Sequence, residues 1–158
     1  MKAPHFHVVL VEPEIPQNTG NIGRLCVGSN CSLHLVQPLG FSLEDRYMKR
    51  AGLDYWKYLD WHVHNSFEVF LKATCPKNFY LFSKKATKEY WHASFQQGDA
   101  LIFGKETLGL PESLIESYRE QALKIPMPGK TRSINLANSV AVAVYEGMRQ
   151  LHVSSPTD

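Results

Sequence analysis

The chain has 158 residues, 44% of them hydrophobic and 20% charged. That balance excludes wholesale disorder and gives one ordinary domain with a core of its own. Seventeen Lys and Arg against fifteen Asp and Glu leave a formal charge of +2, too mild to argue by itself for nucleic acid or membrane. Cys26, Cys31 and Cys75 form no CxxC pair and read as reduced thiols of a cytoplasmic protein. The N-terminal apolar run, Val8 to Val11, stops at Glu12, so it reads as neither signal peptide nor membrane span, and no later stretch approaches the roughly eighteen apolar residues a span needs. With no repeat, low-complexity tract or Gly/Ser linker, 1–158 reads as a single domain.

In chain order, Phe6–Val11 reads as a strand and Thr19–Asn30 as a helix behind Asn18 as its cap. Leu33–Gln37 is a second strand, followed by a helix over Ser42–Ala51 with a capping-box start, Ser42-x-x-Asp45. Ser66–Thr74 is an amphipathic helix, Phe79–Ser83 and Ala100–Gly104 are strands, and Glu112–Ser117 is a short helix behind Pro111. Leu123–Met127 is a further strand and Ile134–Leu151 a long terminal helix. This alternation predicts an α/β fold, a mostly parallel sheet with helices on both faces. The terminal helix is apolar nearly all round: Leu136, Val140, Ala143, Val144, Met148 and Leu151 make one stripe, and Ala137, Ala141, Val142 and Tyr145 continue it. A small sheet covers only one such face, so the other is expected to meet a second copy of the chain, the alternative being a central helix within the monomer.

Several motifs carry less than they promise. Gly129-Lys130-Thr131 resembles the end of a phosphate-binding loop, but position 124 is Lys and the loop holds Pro126 and Pro128, which lack the N–H donors such a loop uses. Gly20-Asn-Ile-Gly23 is not the GxGxxG of a dinucleotide site. His5-x-His7 and His62-x-His64 show no third ligand at metal-binding spacing and read as surface histidines. Lys72, Lys77, Lys84, Lys85 and Lys88, with Arg46, Lys49 and Arg50, are solvated faces unless a nucleic-acid case arises elsewhere.

Three loops resist explanation as turns. They run Glu12–Arg24, Phe103–Pro111 and Ile125–Asn138, each rich in Gly, Pro and amides, and each starting at the carboxyl end of an expected strand. That edge is where open α/β sheets bind ligands. Within them, NTGNIGRLC, LIFGKETLGLP and IPMPGKTRSINLANSVAVAVYE resemble the three signature motifs of the SPOUT class of RNA methyltransferases. The longer match LVEPEIPQNTGNIGRLC, with QPLGF and AGLDYW, is similar to the YibK (TrmL-type) branch of that class, and the similarity runs from about Phe6 to Leu151.

The resemblance implies a SPOUT fold with a C-terminal trefoil knot, a homodimer whose interface includes the terminal helix, and use of S-adenosylmethionine without a metal. Members of that branch 2′-O-methylate the wobble nucleotide, a cytidine or modified uridine, of certain leucine tRNAs, reached through the anticodon stem-loop. Carried over by position, Phe82, Gly104, Ile125, Met127 and Ser133 match the cofactor contacts, and Arg24, Asn18, Glu106 and Asn135 match the residues that shape the reaction centre. The chain has Phe82-Ser83-Lys84 where the family commonly has Leu-Thr-Thr, Gly23 where a larger apolar residue is expected, and Lys105 in place of a usual proline. Family mechanisms have Arg24 activate the ribose hydroxyl. Arginine in water is a poor base, with a pKa above about 12, so it either acts with an RNA phosphate or holds that phosphate. Two rival readings are a knotted RNA-binding protein without catalysis and a nucleotide hydrolase built on Gly129–Thr131. Intact Arg24, Glu106, Ser133 and Asn135 oppose the first, and the missing phosphate-loop donors oppose the second.

Overall fold

The computed structural model describes residues 3–44 and 55–156. Seven strands, β1 (Phe6–Val11), β2 (Ser32–Val36), β3 (Trp61–His64), β4 (Phe79–Phe82), β5 (Lys88–Glu89), β6 (Asp99–Phe103) and β7 (Ala122–Lys124), form one sheet in the order β3-β2-β1-β6-β4-β7-β5. Every paired neighbour is parallel. The helices are α1 (Pro16–Ser29), α2 (Phe67–Thr74), α3 (Glu112–Ser117) and α4 (Leu136–Gln150). The central strands FHVVLV, SLHLV and DALIF are mostly apolar, interrupted by His7, Ser32, His34 and Asp99, because both faces are covered. On one face Val8, Leu10, Leu33 and Leu101 pack with Ile22 and Cys26 of α1 and Val140, Ala143 and Val144 of α4. On the other, Val9, Val11 and Ile102 pack with Phe67 and Phe70 of α2 and Ile115 of α3. The predicted α/β sandwich is therefore the observed one.

The differences lie at element ends. Helix α1 begins at Pro16, three residues before the expected Thr19, with Ile15 as an N-cap that makes no side-chain cap bond. A proline at the first helical position gives up an N–H that has no intrahelical partner anyway. Asn18 is thus inside the helix, its side chain used elsewhere. Strand β7 stops at Lys124 rather than Met127, because Pro126 and Pro128 cannot donate to a ladder. Asn135 caps α4, its Oδ1 accepting from the backbone N–H of Ala137 at 2.8 Å and of Asn138 at 3.3 Å. Ser66 caps α2 by accepting from Val69 N–H at 3.1 Å. Strands β3 and β5 were not legible in the sequence: one alternates histidine with apolar residues, and the other has two residues. From residue 45 on, the helix expected over Ser42–Ala51, with Arg46, Lys49 and Arg50, lies outside the described residues. Helix α4 buries Val140, Ala143, Val144 and Gly147 and leaves Val142 and Tyr145 exposed.

His62 is exposed, as expected of a surface histidine, but His64 and His7 depart from that expectation and join a third imidazole, His34. His34 on β2 is 3% exposed and His64 on β3 is 9% exposed. His7 Nδ1 is hydrogen-bonded to His34 Nε2 at 2.9 Å, and His34 Nδ1 to His64 Nε2 at 2.9 Å, so three imidazoles bridge three adjacent strands above Phe70. Burial, reinforced by the neighbouring imidazoles, lowers the His34 pKa to about 2, and burial lowers those of His7 and His64. A histidine depressed in the folded state takes up its proton on unfolding. Its contribution to stability is therefore complete above about 6.5 and is lost as pH falls below that value. For His34 alone the expected loss is roughly 2–3 kcal/mol between pH 6.5 and 4.5. Urea unfolding across that range checks it: the midpoint should fall with pH, and an invariant midpoint would mean that the ladder accepts a proton in place.

Candidate active site

Four loops leave the carboxyl ends of the adjacent strands β1, β6, β4 and β7, so residues distant in sequence converge at one edge of the sheet. They enclose a cavity of about 390 Å³, within the roughly 300–1,000 Å³ of small-molecule and cofactor sites. Ile15 and Asn18 line it from the first loop and α1, Phe82, Ser83 and Lys84 from the end of β4, Gly104 to Leu110 from the second loop, and Ile125, Met127 and Arg132 to Asn135 from the third. Its lining is apolar at Phe82, Leu110, Ile125 and Met127 and polar at Lys84, Glu106, Arg132, Ser133 and Asn135. That is the chemistry a nucleoside-bearing, partly apolar group needs.

The second loop depends on Gly104. A Cβ there would stand 2.0 Å from the carbonyl carbon of Gly109 and 2.1 Å from the nitrogen of Leu110. The loop closes on itself at that point, with Gly109 at φ +72° and its N–H donating to the Lys105 carbonyl at 2.9 Å. Only a residue without a side chain admits this approach.

Glu106 holds the three loops together. Its carboxylate accepts the backbone N–H groups of Glu14 and Ile15, each at 2.8 Å, and the Asn18 side-chain amide at 3.2 Å. Asn18 Oδ1 in turn accepts from Asn135 Nδ2 at 3.1 Å. One hydrogen-bonded chain, Glu106–Asn18–Asn135, thus joins the first motif, the second and the N-terminus of α4. The cap expected of Asn18 gives way to this link, because the Glu106 carboxylate satisfies the free N–H groups ahead of α1.

The sequence reading missed Glu14, Glu12 and Thr107. Glu14 Oε1 accepts from the Thr107 backbone N–H at 3.0 Å and its hydroxyl at 2.7 Å, and these bonds, the hydroxyl's first, lower its pKa. Lys105, in place of the usual proline, pairs with Glu12 at 3.4 Å. The signal available was two carboxylates in the Glu12-Pro-Glu14 stretch facing a loop rich in donors.

Phe82, Gly104, Ile125, Met127 and Ser133 all line the cavity, as do Asn18, Glu106 and Asn135. Arg24 does not. It lies six residues beyond Asn18 on α1, about 9 Å further along the axis, exposed, with its guanidinium 4.7 Å from the centre of the Tyr55 ring. Among the described residues no group of three or more His, Cys, Asp or Glu is placed to hold a metal ion, and no helix is long and apolar enough to cross a membrane. Cys26 and Cys31 are buried and Cys75 exposed, all three as free thiols.

Fold and cavity together define an α/β domain of parallel strands with a ligand site at the carboxyl edge of its sheet. Residues 5–145 match the model of the SpoU rRNA Methylase family. A relative from Saccharophagus degradans, tRNA (cytidine(34)-2′-O)-methyltransferase, is 46% identical over 147 residues, covering 92% of this chain and 96% of its own. The protein of that name from Escherichia coli (strain K12) is 44% identical over 147 residues, 92% of this chain and 94% of its own. A solved structure that gives insights into the 2-OH methylation of C/U34 on tRNA superposes with a TM-score of 0.88 at 47% identity, covering 93% of this chain and 96% of that one. The chain belongs to the SpoU methylase family, within the SPOUT methyltransferases.

Proposed function

We propose that this chain is an S-adenosylmethionine-dependent methyltransferase that modifies the ribose 2′-hydroxyl of nucleotide 34 in tRNA, with leucine tRNAs, reached through the anticodon stem-loop, as its substrates in the cytoplasm. The observation that carries the reading is the cavity at the carboxyl edge, whose walls are tied together by the Glu106–Asn18–Asn135 chain. The high-identity relatives named for cytidine 34 support the position on the nucleic acid.

In this reading Phe82, Ile125 and Met127 form the apolar wall against S-adenosylmethionine, Gly104 brings backbone up to it, and Ser133 adds a hydroxyl from the third loop. The C-terminal trefoil knot belongs to the same reading. S-adenosylmethionine supplies, when bound, an electrophilic methyl group on a sulfonium that leaves as a neutral thioether. What the chain must add is position, with the ribose oxygen in line with that group at roughly 3–3.5 Å, and a path by which the hydroxyl proton leaves to a phosphate or water as the oxygen takes the methyl. Glu106, Asn18 and Asn135 keep the rim in one geometry while RNA binds, and Arg24 supplies a cation for the hydroxyl or its adjoining phosphate. Lys84 and Arg132 on the cavity lining and the neighbouring Lys88 give the RNA backbone its counter-charge, while Lys85, also on the lining, is paired with Glu112.

The reading includes a homodimer. Val142 and Tyr145 on the outer face of α4 are exposed in the single chain, and Arg24 stands outside its own cavity. A two-fold pairing about α4 covers the first and lets each Arg24 serve the partner subunit's cavity. Arg24→Ala is therefore expected to lose methylation at least a hundredfold while S-adenosylmethionine affinity by calorimetry stays within about threefold, since oriented charges of this kind contribute on that scale. A large loss of cofactor affinity would contradict this division of labour.

A further inference from the structure

Gly23 departs from the larger apolar residue expected beside Arg24, and the structure gives this departure a physical setting. A Cβ at Gly23 would lie 3.1 Å from Leu59 Cδ2 and 3.3 Å from Trp56 Cζ3. The space that a larger side chain would take is filled instead by Trp56, which opens the single 3₁₀ turn Trp56–Tyr58, and by Leu59, which caps it. Trp56 is further held by Trp61 at the start of β3, ring centres 5.0 Å apart. This seating sets Tyr55, the residue that leads into the turn, beside α1 one position from Gly23. Its ring lies under the Arg24 guanidinium at 4.7 Å, inside the roughly 6 Å within which a cation is attracted to an aromatic face.

The consequence concerns a long, exposed cation. Arg24 makes no ion pair among the described residues, and an arginine on a helix surface samples many rotamers unless something selects one. The ring face is the partner that selects. It does so without neutralising the charge, whereas a carboxylate would compete with the RNA phosphate or hydroxyl for the same donors. The planar guanidinium keeps its N–H edge free while its face is stacked.

We infer that Tyr55 is a positioning residue for the reaction, holding the Arg24 guanidinium by its ring face so that the donor edge is presented to the RNA. The inference rests on the assignment of Arg24 to the reaction centre given above. It is an aromatic role, so Tyr55→Phe preserves it and Tyr55→Leu removes it.

The test is steady-state methylation of a leucine tRNA by the full-length chain, with S-adenosylmethionine affinity measured by calorimetry and stability by urea unfolding. Tyr55→Leu should lower kcat about tenfold, the scale of one cation–π contact, with cofactor affinity within about twofold and the unfolding midpoint little changed. Tyr55→Phe should return kcat to within about threefold of the parent. In an Arg24→Ala background, Tyr55→Leu should change the residual rate by less than about twofold, because Tyr55 acts only through that arginine. Arg24→Ala alone separates the two claims. If it retains the parent rate, the assignment of Arg24 falls. If it is slow while Tyr55→Leu is as fast as the parent, only the role of Tyr55 falls. A Tyr55→Leu loss that Phe does not rescue, or that persists at full size without Arg24, likewise overturns it.

Discussion

Gly104→Ala should abolish S-adenosylmethionine binding, with no heat detectable by calorimetry at concentrations that saturate the parent. The added methyl would sit 2.0 Å from the Gly109 carbonyl carbon and 2.1 Å from the Leu110 nitrogen, and backbone on that side cannot rotate away as a flexible side chain would. To restore ordinary contact the loop must open by more than about 1 Å, which carries Lys105 to Leu110 out of the cavity wall. Glu106 moves with them, and with it the bonds to Glu14, Ile15 and Asn18. The local overpacking should also lower stability by roughly 1–3 kcal/mol, so the variant remains folded enough to assay. Unchanged cofactor affinity would show that the wall of the site does not run through this loop.

The second large effect is a recovery rather than a loss. Each homodimer of Arg24→Ala or of Gly104→Ala should be nearly inactive, since in the proposed arrangement every composite site lacks either its arginine or its cofactor wall. A heterodimer of the two places both defects in one site and leaves the other intact, because a two-fold interface generates two equivalent sites. With random pairing half the dimers are heterodimers, each with one of two sites working, so activity should return to about a quarter of the parent. Co-expression avoids reliance on subunit exchange. Verified heterodimers without recovery would place Arg24 and the cavity it serves in the same subunit.

What could be read from the sequence divides by range. The apolar runs FHVVLV and DALIF speak through local period, and the parallel sheet with helices on both faces follows from their alternation with helical segments. The caps Ser66 and Asn135 instead look, in the sequence, like residues within their helices. Most of the cavity was legible because three of its four loops start at a strand end and carry their own Gly, Pro and amide signature, whereas the fourth, Ser83 onward after β4, carries none. Links across the chain were not. Asn18 looks like a cap from its neighbours, yet Glu106, 88 positions away, accepts its amide hydrogen. The histidines looked like surface pairs because each His-x-His was judged alone, whereas the ladder is built by the register of β1, β2 and β3, in which His34 lies opposite Val9 on one side and His62 on the other. Gly23 stood out only as a departure from the larger apolar residue expected there, and it is Trp56, 33 positions on, that takes up the space. Resemblance placed Arg24 in the reaction centre without saying what steadies it.

The central claim is that the chain methylates the 2′-oxygen of nucleotide 34 in tRNA. Its most direct test is mass spectrometry of position-resolved fragments after total RNA from cells lacking the protein is incubated with the purified chain and S-adenosylmethionine bearing a heavy methyl group. The account predicts the heavy methyl on the ribose of the wobble nucleotide of leucine tRNAs, absent when Arg24→Ala is used. Label on a base, on ribosomal RNA, or at any tRNA position other than 34 would contradict it.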